Sequence, residues 1–263
     1  MASATLRIRL LGELDLRHGE APVPPLGSAR AESLLAYLLL HREAPQPRQR
    51  LAFLLWPDSS EPQARTNLRH LLHNLRRALP DADRFLEVTQ RTLRWRDDAP
   101  FWLDVAAFEA AAARAGQPGQ ELPALRQAVE LYGGDLLRSG YDEWLLEERE
   151  RLRRRYLEAL ERLAELLEAG GEHAPAISHA ERLLGEDPLR EATYRLLMRL
   201  HDARGDRARA LRAYHACAAT LERELNVAPS AATRRAYAAL LPPSAEPGAG
   251  PATGRAGALG RPP

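Results

Sequence analysis

Residue usage and spacing predict a mainly α chain with a small β component, a mixed front region followed by an all-helical rear one. Three observations carry this. Leu and Ala are abundant, aromatics make up only 6%, and Ile occurs only as Ile8 and Ile177, a mixture that favours helix over sheet. Period-two alternation of apolar and polar residues is found at Leu6, Ile8 and Leu10, near the N-terminus. Part of the rear repeats every 34 residues, the period of tetratricopeptide helix–turn–helix units.

The front elements follow in order. Leu14 and Leu16 resume the alternation after Gly12-Glu13, and the segment APVPPLGS demotes the next piece to an edge strand or loop. A first helix runs from about Ser28, its N-cap, to His41, with Leu34, Leu35, Leu38 and Leu39 as its apolar stripe. Pro45 and Pro47 end the connection. A second helix runs from about Arg48 to Trp56 and stops at Pro57. Trp56, in LLWPD, reads as a core or helix-junction anchor. The third helix starts near Ser60, with Gln63 as a capping-box partner, and ends at Leu79-Pro80. RFLEVTQRTLRWR then reads as a hairpin turning at Gln90-Arg91. Strands, three helices and a hairpin, in that order, are the layout of a winged helix-turn-helix.

The rear reads as helices at about 104–115, 121–132, 142–169, 173–185, 189–204, 206–225 and 230–240, with breaks at glycines and at Asp187-Pro188 and Pro229. Ala169-Gly170-Gly171-Glu172 returns as Ala203-Arg204-Gly205-Asp206, and Ala176, Leu163 and Leu160 return as Ala210, Leu197 and Tyr194. A plain helical bundle is the alternative to a tetratricopeptide-like array.

Charge divides the chain in the same way. Residues 1–100 carry 15 Arg against 12 acids, and residues 101–241 carry 20 against 23. The expected domains are a winged helix-turn-helix at 1–100, a tetratricopeptide-like domain at 101–241, and a Pro/Gly/Ala-rich linker or disordered tail at 242–263. All 37 basic side chains are Arg, which reads as codon bias. The single cysteine, Cys217, excludes an intrachain disulfide framework and is expected to pack as a small apolar residue. The first twenty residues lack the apolar core of a secretory signal, and Leu34–Leu40 is too short to span a bilayer, so a cytoplasmic protein with no membrane partner is expected.

The third helix carries the functional reading. With Leu68 at the centre of the buried face, Ala64, Leu71, Leu72, Leu75 and Leu79 fall within about 60° of it at 100° per residue. Gln63, Thr66, Arg69, His70, His73, Asn74 and Arg77 face away, and residues 63–79 contain no acid. Amide, hydroxyl, imidazole and guanidinium groups read base edges or hold phosphates. Ordinary solvated helices intersperse Glu and Asp, so this face points to double-stranded DNA. Arg91, Arg94 and Arg96 on the hairpin, and Arg48 and Arg50 at the start of the second helix, point the same way. The expected contacts are therefore Arg48, Gln63, Thr66, Arg69, His70, His73, Asn74, Arg77, Arg91 and Arg94.

The stretch LLAYLLLHREAPQPRQRLAFLLWPDSSEPQARTNLRHLLHNLRRAL resembles the OmpR/PhoB-type winged helix of the Streptomyces antibiotic regulatory protein family. LYGGDLLRSGYDEWLLEERERLRRRYLEALERLAELL and the segment from Glu181 to Ser230 resemble its bacterial transcriptional activator domain. The resemblance covers roughly residues 4–240. It implies a transcription regulator, usually an activator, that binds direct repeats near promoters head to tail. It also implies a third helix in the major groove, a wing toward the minor groove, a homodimer on DNA, and contact with RNA polymerase or its sigma factor. Because the first strand begins near Thr5, no receiver domain is expected ahead of the winged helix, nor control by aspartyl phosphorylation in cis. The tail resembles the linker that leads, in larger members, into an ATPase or sensory module, which leaves open a short regulator or the front of a longer one.

No enzyme is expected. The chain lacks a GxxxxGK[ST] phosphate loop, GxSxG, HExxH and CxxC. His70 and His73 have no third ligand nearby, so neither metal nor other cofactor is expected. The acids Asp142, Glu143, Glu147, Glu148 and Glu150 are expected to pair with Arg151–Arg155 along one solvated helix. The alternative function is a helical-repeat interaction scaffold whose front region binds protein rather than DNA.

Overall fold

Alternating burial at Leu6, Arg7, Ile8 and Arg9 turns the period-two pattern into the first strand of a sheet that floors the front region. The computed structural model describes residues 5–241; the expected tail at 242–263 lies outside them. Two compact units make up the chain, Met1–Glu186 and Asp187–Pro263.

The first unit begins with β1 (Leu6–Arg9), β2 (Asp15–His18), β3 (Ala21–Pro22), α1 (Ala29–Leu40), β4 (Gln46–Pro47), α2 (Arg48–Leu55) and α3 (Glu61–Ala78). It continues with α4 (Ala82–Phe85), β5 (Leu86–Val88), β6 (Thr92–Trp95), β7 (Phe101–Leu103), α5 (Asp104–Arg114), α6 (Glu121–Leu131), α7 (Trp144–Ala169) and α8 (His173–Glu186). Three helices lie between a four-stranded sheet, ordered β3-β2-β1-β7, and a three-stranded sheet, ordered β4-β6-β5, whose β5–β6 hairpin is the wing. This is a winged helix-turn-helix.

Ser28 caps α1 by accepting from the Ala31 N–H at 3.2 Å. The capping box expected at α3 does not form. Ser60 makes no side-chain cap bond, and the Gln63 amide donates instead to Asn67 Oδ1 at 2.8 Å, one turn on. Pro62 in the first turn and Glu61 at the positive end of the helix dipole support that start. Leu68, Leu71, Leu72 and Leu75 of α3 are buried with Leu34, Leu35, Leu38 and Leu39 of α1. Behind the wing, Trp95 stacks on Phe85 at 5.5 Å and meets Phe101 edge-on at 5.6 Å.

Three short elements were not expected. β4 pairs Gln46 with Leu93 and Pro47 with Thr92, α4 follows α3 directly, and β7 lies parallel to β1 with Arg7 opposite Trp102. Two to four residues carry no readable period, so long-range pairing alone creates them. Asp104 seals the β7 joint. Its buried carboxylate accepts the N–H groups of Leu10 (3.0 and 2.9 Å), Leu11 (2.9 Å) and Val105 (2.7 Å). Burial raises its pKa above the ordinary Asp value, against the pull of those N–H donors.

Rear helices pack as antiparallel hairpins. The salt-bridge pattern expected along α7 is corrected: its arginines mostly reach other helices. Arg151 pairs with Glu109 of α5 as well as with Glu148, Arg153 with Glu186 of α8, and Arg162 with Glu121 of α6. An arginine side chain on a long helix also reaches carboxylates on the helices packed beside it, and local pattern does not reveal which helices those are.

The second unit holds α9 (Glu191–Ala203), α10 (Arg207–Leu225) and α11 (Ala231–Leu240), packed around Met198, Ala210 and Leu240. Its turn repeats that of the α7–α8 hairpin 34 positions earlier. The Glu172 N–H reaches the Leu167 carbonyl at 2.8 Å, and the Asp206 N–H reaches that of His201 at 2.9 Å. Gly171 and Gly205 both take positive φ, 75° and 73°, which glycine adopts without strain. Ala176 and Ala210 are fully buried at the close approach of each pair. The fold is tetratricopeptide-like. Cys217 is buried and free, as a small apolar residue would be. Among the described residues no helix is long and apolar enough to cross a membrane.

Candidate nucleic-acid interface

α3 buries one stripe and leaves the rest of its circumference to solvent. Gln63, Arg69, His70, His73, Asn74 and Arg77 are exposed, and Thr66 is half-exposed. At about 100° per residue the outward side divides into two flanks. Arg65, Arg69, His73 and Arg76 lie on the flank toward the wing, with Arg77 and Thr66 at the crest. Gln63, Asn67, His70 and Asn74 lie on the other.

Two open clefts follow the arginine flank. One, of about 840 Å³, runs along the C-terminal half of α3 against α4 and Val88, and is lined by Arg48, Arg69, His73, Arg76, Arg77 and Arg84, with Asp81 and Asp83 as the acids on its wall. The other, of about 590 Å³, opens between the start of α2, α3 and the wing turn, and is lined by Arg48, Gln49, Arg65, Arg69, Gln90 and Arg91. Arg48 and Arg69 line both. The tertiary structure thus gathers Arg48, Arg69, His73, Arg77 and Arg91 around one basic trough. Gln63, His70 and Asn74 stand outside it, on the far flank, and Thr66 donates back to the Pro62 carbonyl at 3.0 Å.

Local bonds set how free each group is. Arg48 ties α2 to the wing: its Nη1 donates to the Thr89 carbonyl at 3.2 Å and its backbone N–H to that of Arg91 at 2.9 Å. Arg94 turns inward, with Nε donating to the Arg42 carbonyl at 3.2 Å. Arg65 pairs with Glu61 at 2.5 Å and Arg76 with Asp83. Neither Arg69 nor Arg77 forms an ion pair among the described residues. The wing turn is fixed by Thr89, whose hydroxyl accepts the N–H groups of Arg91 (3.2 Å) and Thr92 (2.9 Å).

The contacts expected from sequence count Arg65 and Arg76 only toward the positive charge of the helix and Gln90 only as a turn residue, and leave out Gln49 and Arg84. The spacing of Arg65, Arg69 and His73 at successive turns marks the wing-side flank, while Arg84 sits on the short α4 and carries no periodic signal. No group of three or more metal-ligating side chains occurs among the described residues. An 18-residue helix spans about 27 Å. With one outward side free of acids, it has the dimensions and chemistry to enter a groove about 12 Å wide.

The family model for the bacterial transcriptional activator domain matches residues 103–241. The transcriptional regulatory protein MoaR1 of Mycobacterium tuberculosis is 28% identical over 254 residues, covering 91% of this chain and 80% of its own length. The regulatory protein AfsR of Streptomyces coelicolor is 29% identical over 232 residues, 86% of this chain but only 23% of AfsR. A solved structure of Mycobacterium tuberculosis EmbR, in complex with a low affinity phosphopeptide, superposes with a TM-score of 0.72 over 90% of this chain and 65% of that one. At 24% identity that likeness speaks for the fold alone. With the activator-domain pattern filling more than half its length behind a winged helix, this chain belongs to the Streptomyces antibiotic regulatory protein family of transcriptional regulators.

Proposed function

We propose that the chain is a sequence-specific activator that binds direct repeats in double-stranded DNA near promoters, head to tail as a homodimer, and contacts RNA polymerase or its sigma factor. Residues 1–100 are the DNA-binding part and residues 101–241 the activator domain. α3 enters the major groove and the wing approaches the minor groove. Such a protein acts by binding, not catalysis, and works where bacterial DNA is, in the cytoplasm.

One observation carries the reading: the acid-free outward side of α3 continues into a trough that Arg48 and Arg69 share with the wing. Arg69 suits guanine, and the amides of Gln63 and Asn74 suit adenine. Thr66, His70, His73 and Arg77 supply further base or phosphate contacts. Arg48 and Arg91 hold phosphate on either side of the groove, and Arg94 contributes by anchoring the wing that carries Arg91.

The test is a binding titration against the fragments that genomic footprinting recovers, at several salt concentrations. Log affinity is expected to fall linearly with log salt, by about 0.9 per phosphate neutralised. Absent or salt-independent binding ends the reading and favours the protein-binding scaffold.

A further inference from the structure

The apolar run of α1 is interrupted on one side only. Arg30, Ser33, Tyr37 and His41 recur at three- and four-residue intervals and lie within about 80° of arc, while Leu34, Leu35, Leu38 and Leu39 fill the adjoining side. The leucines are buried, and α1 contacts α3. The polar stripe meets the start of α7 instead, within the same compact unit. Ser33 and Tyr37 are buried there. The Ser33 hydroxyl accepts the Trp144 indole N–H at 3.0 Å, and the Tyr37 ring meets the Trp144 ring edge-on at 5.1 Å. Arg30 closes the near end of the stripe on Asp142 at 2.9 Å. At the far end His41 feels the charges of Glu148 and Arg151 of α7 and of Arg50 of α2.

Trp144 opens a helix that is itself anchored. The chain ahead of it is hydrogen-bonded to the end of the first strand and the turn that follows. The Leu137 N–H reaches the Leu10 carbonyl and the Arg138 N–H that of Gly12, both at 2.8 Å, and the Gly12 N–H reaches the Asp135 carbonyl at 3.0 Å. Arg149 gathers the carbonyls of Leu136 (2.7 Å), Leu137 and Gly140 (2.7 Å). The two sides of α1 therefore do different things. Leucine packing holds helices together but has no direction, so it tolerates small rotations and slides. A hydrogen bond is directional. The Ser33–Trp144 bond sets the rotation and register of α1 that the leucines leave loose.

We propose that Trp144, although it lies outside residues 1–100, is a positioning residue for DNA recognition: anchored by α7, it fixes α1 through Ser33 and Tyr37, and α1 sets the angle at which α3 presents its outward groups to base edges. The proposal rests on the DNA-binding reading. It separates two kinds of contact. Base-edge hydrogen bonds need side chains placed to within about 0.5 Å. Non-specific binding rests on charge and tolerates a shifted helix. Disturbing the α1–α7 contact therefore costs discrimination between sequences and leaves the charge-driven part intact.

The test uses the full chain with Trp144→Ala, with Trp144→Phe, with Ser33→Ala, and with Trp144→Phe and Ser33→Ala together. Urea unfolding first establishes a temperature at which each variant is folded. Affinity is then measured for a footprinted fragment and for an unrelated duplex of the same length. Trp144→Ala is expected to lower affinity for the footprinted fragment about tenfold, the worth of one base contact. Affinity for the unrelated duplex changes by less than about twofold, because the same arginines still neutralise phosphate. Trp144→Phe keeps the edge contact with Tyr37 but loses the N–H donor, so about threefold is lost on the footprinted fragment, and Ser33→Ala loses the same. Combining the two adds nothing further, since both remove one bond. Should Trp144→Ala fail to fold, the two milder changes carry the test. Folded variants that bind the footprinted fragment as wild type does overturn the proposal. An equal fall on both duplexes marks a structural role alone and overturns it too, as does full additivity of the milder pair. Failure of the DNA-binding reading is distinct: wild type itself then binds neither duplex, and the proposal falls with it.

Discussion

α3 and α7 are both long, arginine-rich, amphipathic helices, yet their guanidinium groups meet opposite fates. On α7, Arg151 and Arg155 share Glu109 of α5, Arg162 reaches Glu121 of α6, Arg153 reaches Glu186 of α8, and Arg149 is spent on three carbonyls. On α3, carboxylates hold Arg65 near one end and Arg76 near the other, and the stretch with Arg69, His73 and Arg77 has none. A guanidinium whose donors are satisfied within the protein has little to offer a phosphate. Arginine on α7 therefore serves packing, whereas Arg69 and Arg77 on α3 find no carboxylate among the described residues, and in the proposed function a phosphate supplies that negative charge.

The strongest test of this contrast is Arg69→Ala with Arg77→Ala. DNA affinity is expected to fall about 100-fold, and the stability of so exposed a site to change by less than about 0.5 kcal/mol. Unchanged affinity in a titration would reassign the reading face. Next comes the mirror case, Arg151→Ala on α7. Because the group is about one-third exposed, solvent screening limits the loss to about 1 kcal/mol in urea unfolding, with DNA affinity unaltered.

Histidine extends the comparison at smaller scale. His41, beside Tyr37 at the end of α1, is held below the ordinary His pKa, chiefly by loss of solvent and further by Arg50 and Arg151, against the pull of Glu148. Its folded pKa lies under its unfolded one, so the folded state binds fewer protons. Its contribution is thus present above the unfolded value of about pH 6.5 and is lost as pH falls from there through the lower folded pKa. Wild type is expected to lose more stability than His41→Phe between pH 7.5 and 5, by less than about 1 kcal/mol because half the ring stays solvated. Parallel unfolding curves in the two proteins would remove His41 as the cause. The smallest effect belongs to the wing. Arg91→Ala should flatten the salt slope by about one unit and weaken all sequences alike, and a slope equal to wild type would take Arg91 off the DNA.

Much of this was readable beforehand. The leucine stripe of α3 emerged buried as spaced, Ser28 capped α1, and the 34-residue repeat returned as matching turn hydrogen bonds at Glu172 and Asp206. Periodicity reports such features because helix and turn chemistry act within a few residues. Arg94 was less legible. Counted from sequence as an outward cation, it bends back to Arg42, fifty-two positions away. The break between compact units after Glu186 was equally hidden, since it reflects which helices share a core and not a change of composition.

Local pattern, then, was enough for the longer helices, the wing and the acid-free character of α3, because each is set by side chains close to one another in sequence. Folding in three dimensions settled which arginines stay free. A guanidinium reaches far enough to find a carboxylate or carbonyl on any element packed beside it, and only packing says which elements those are.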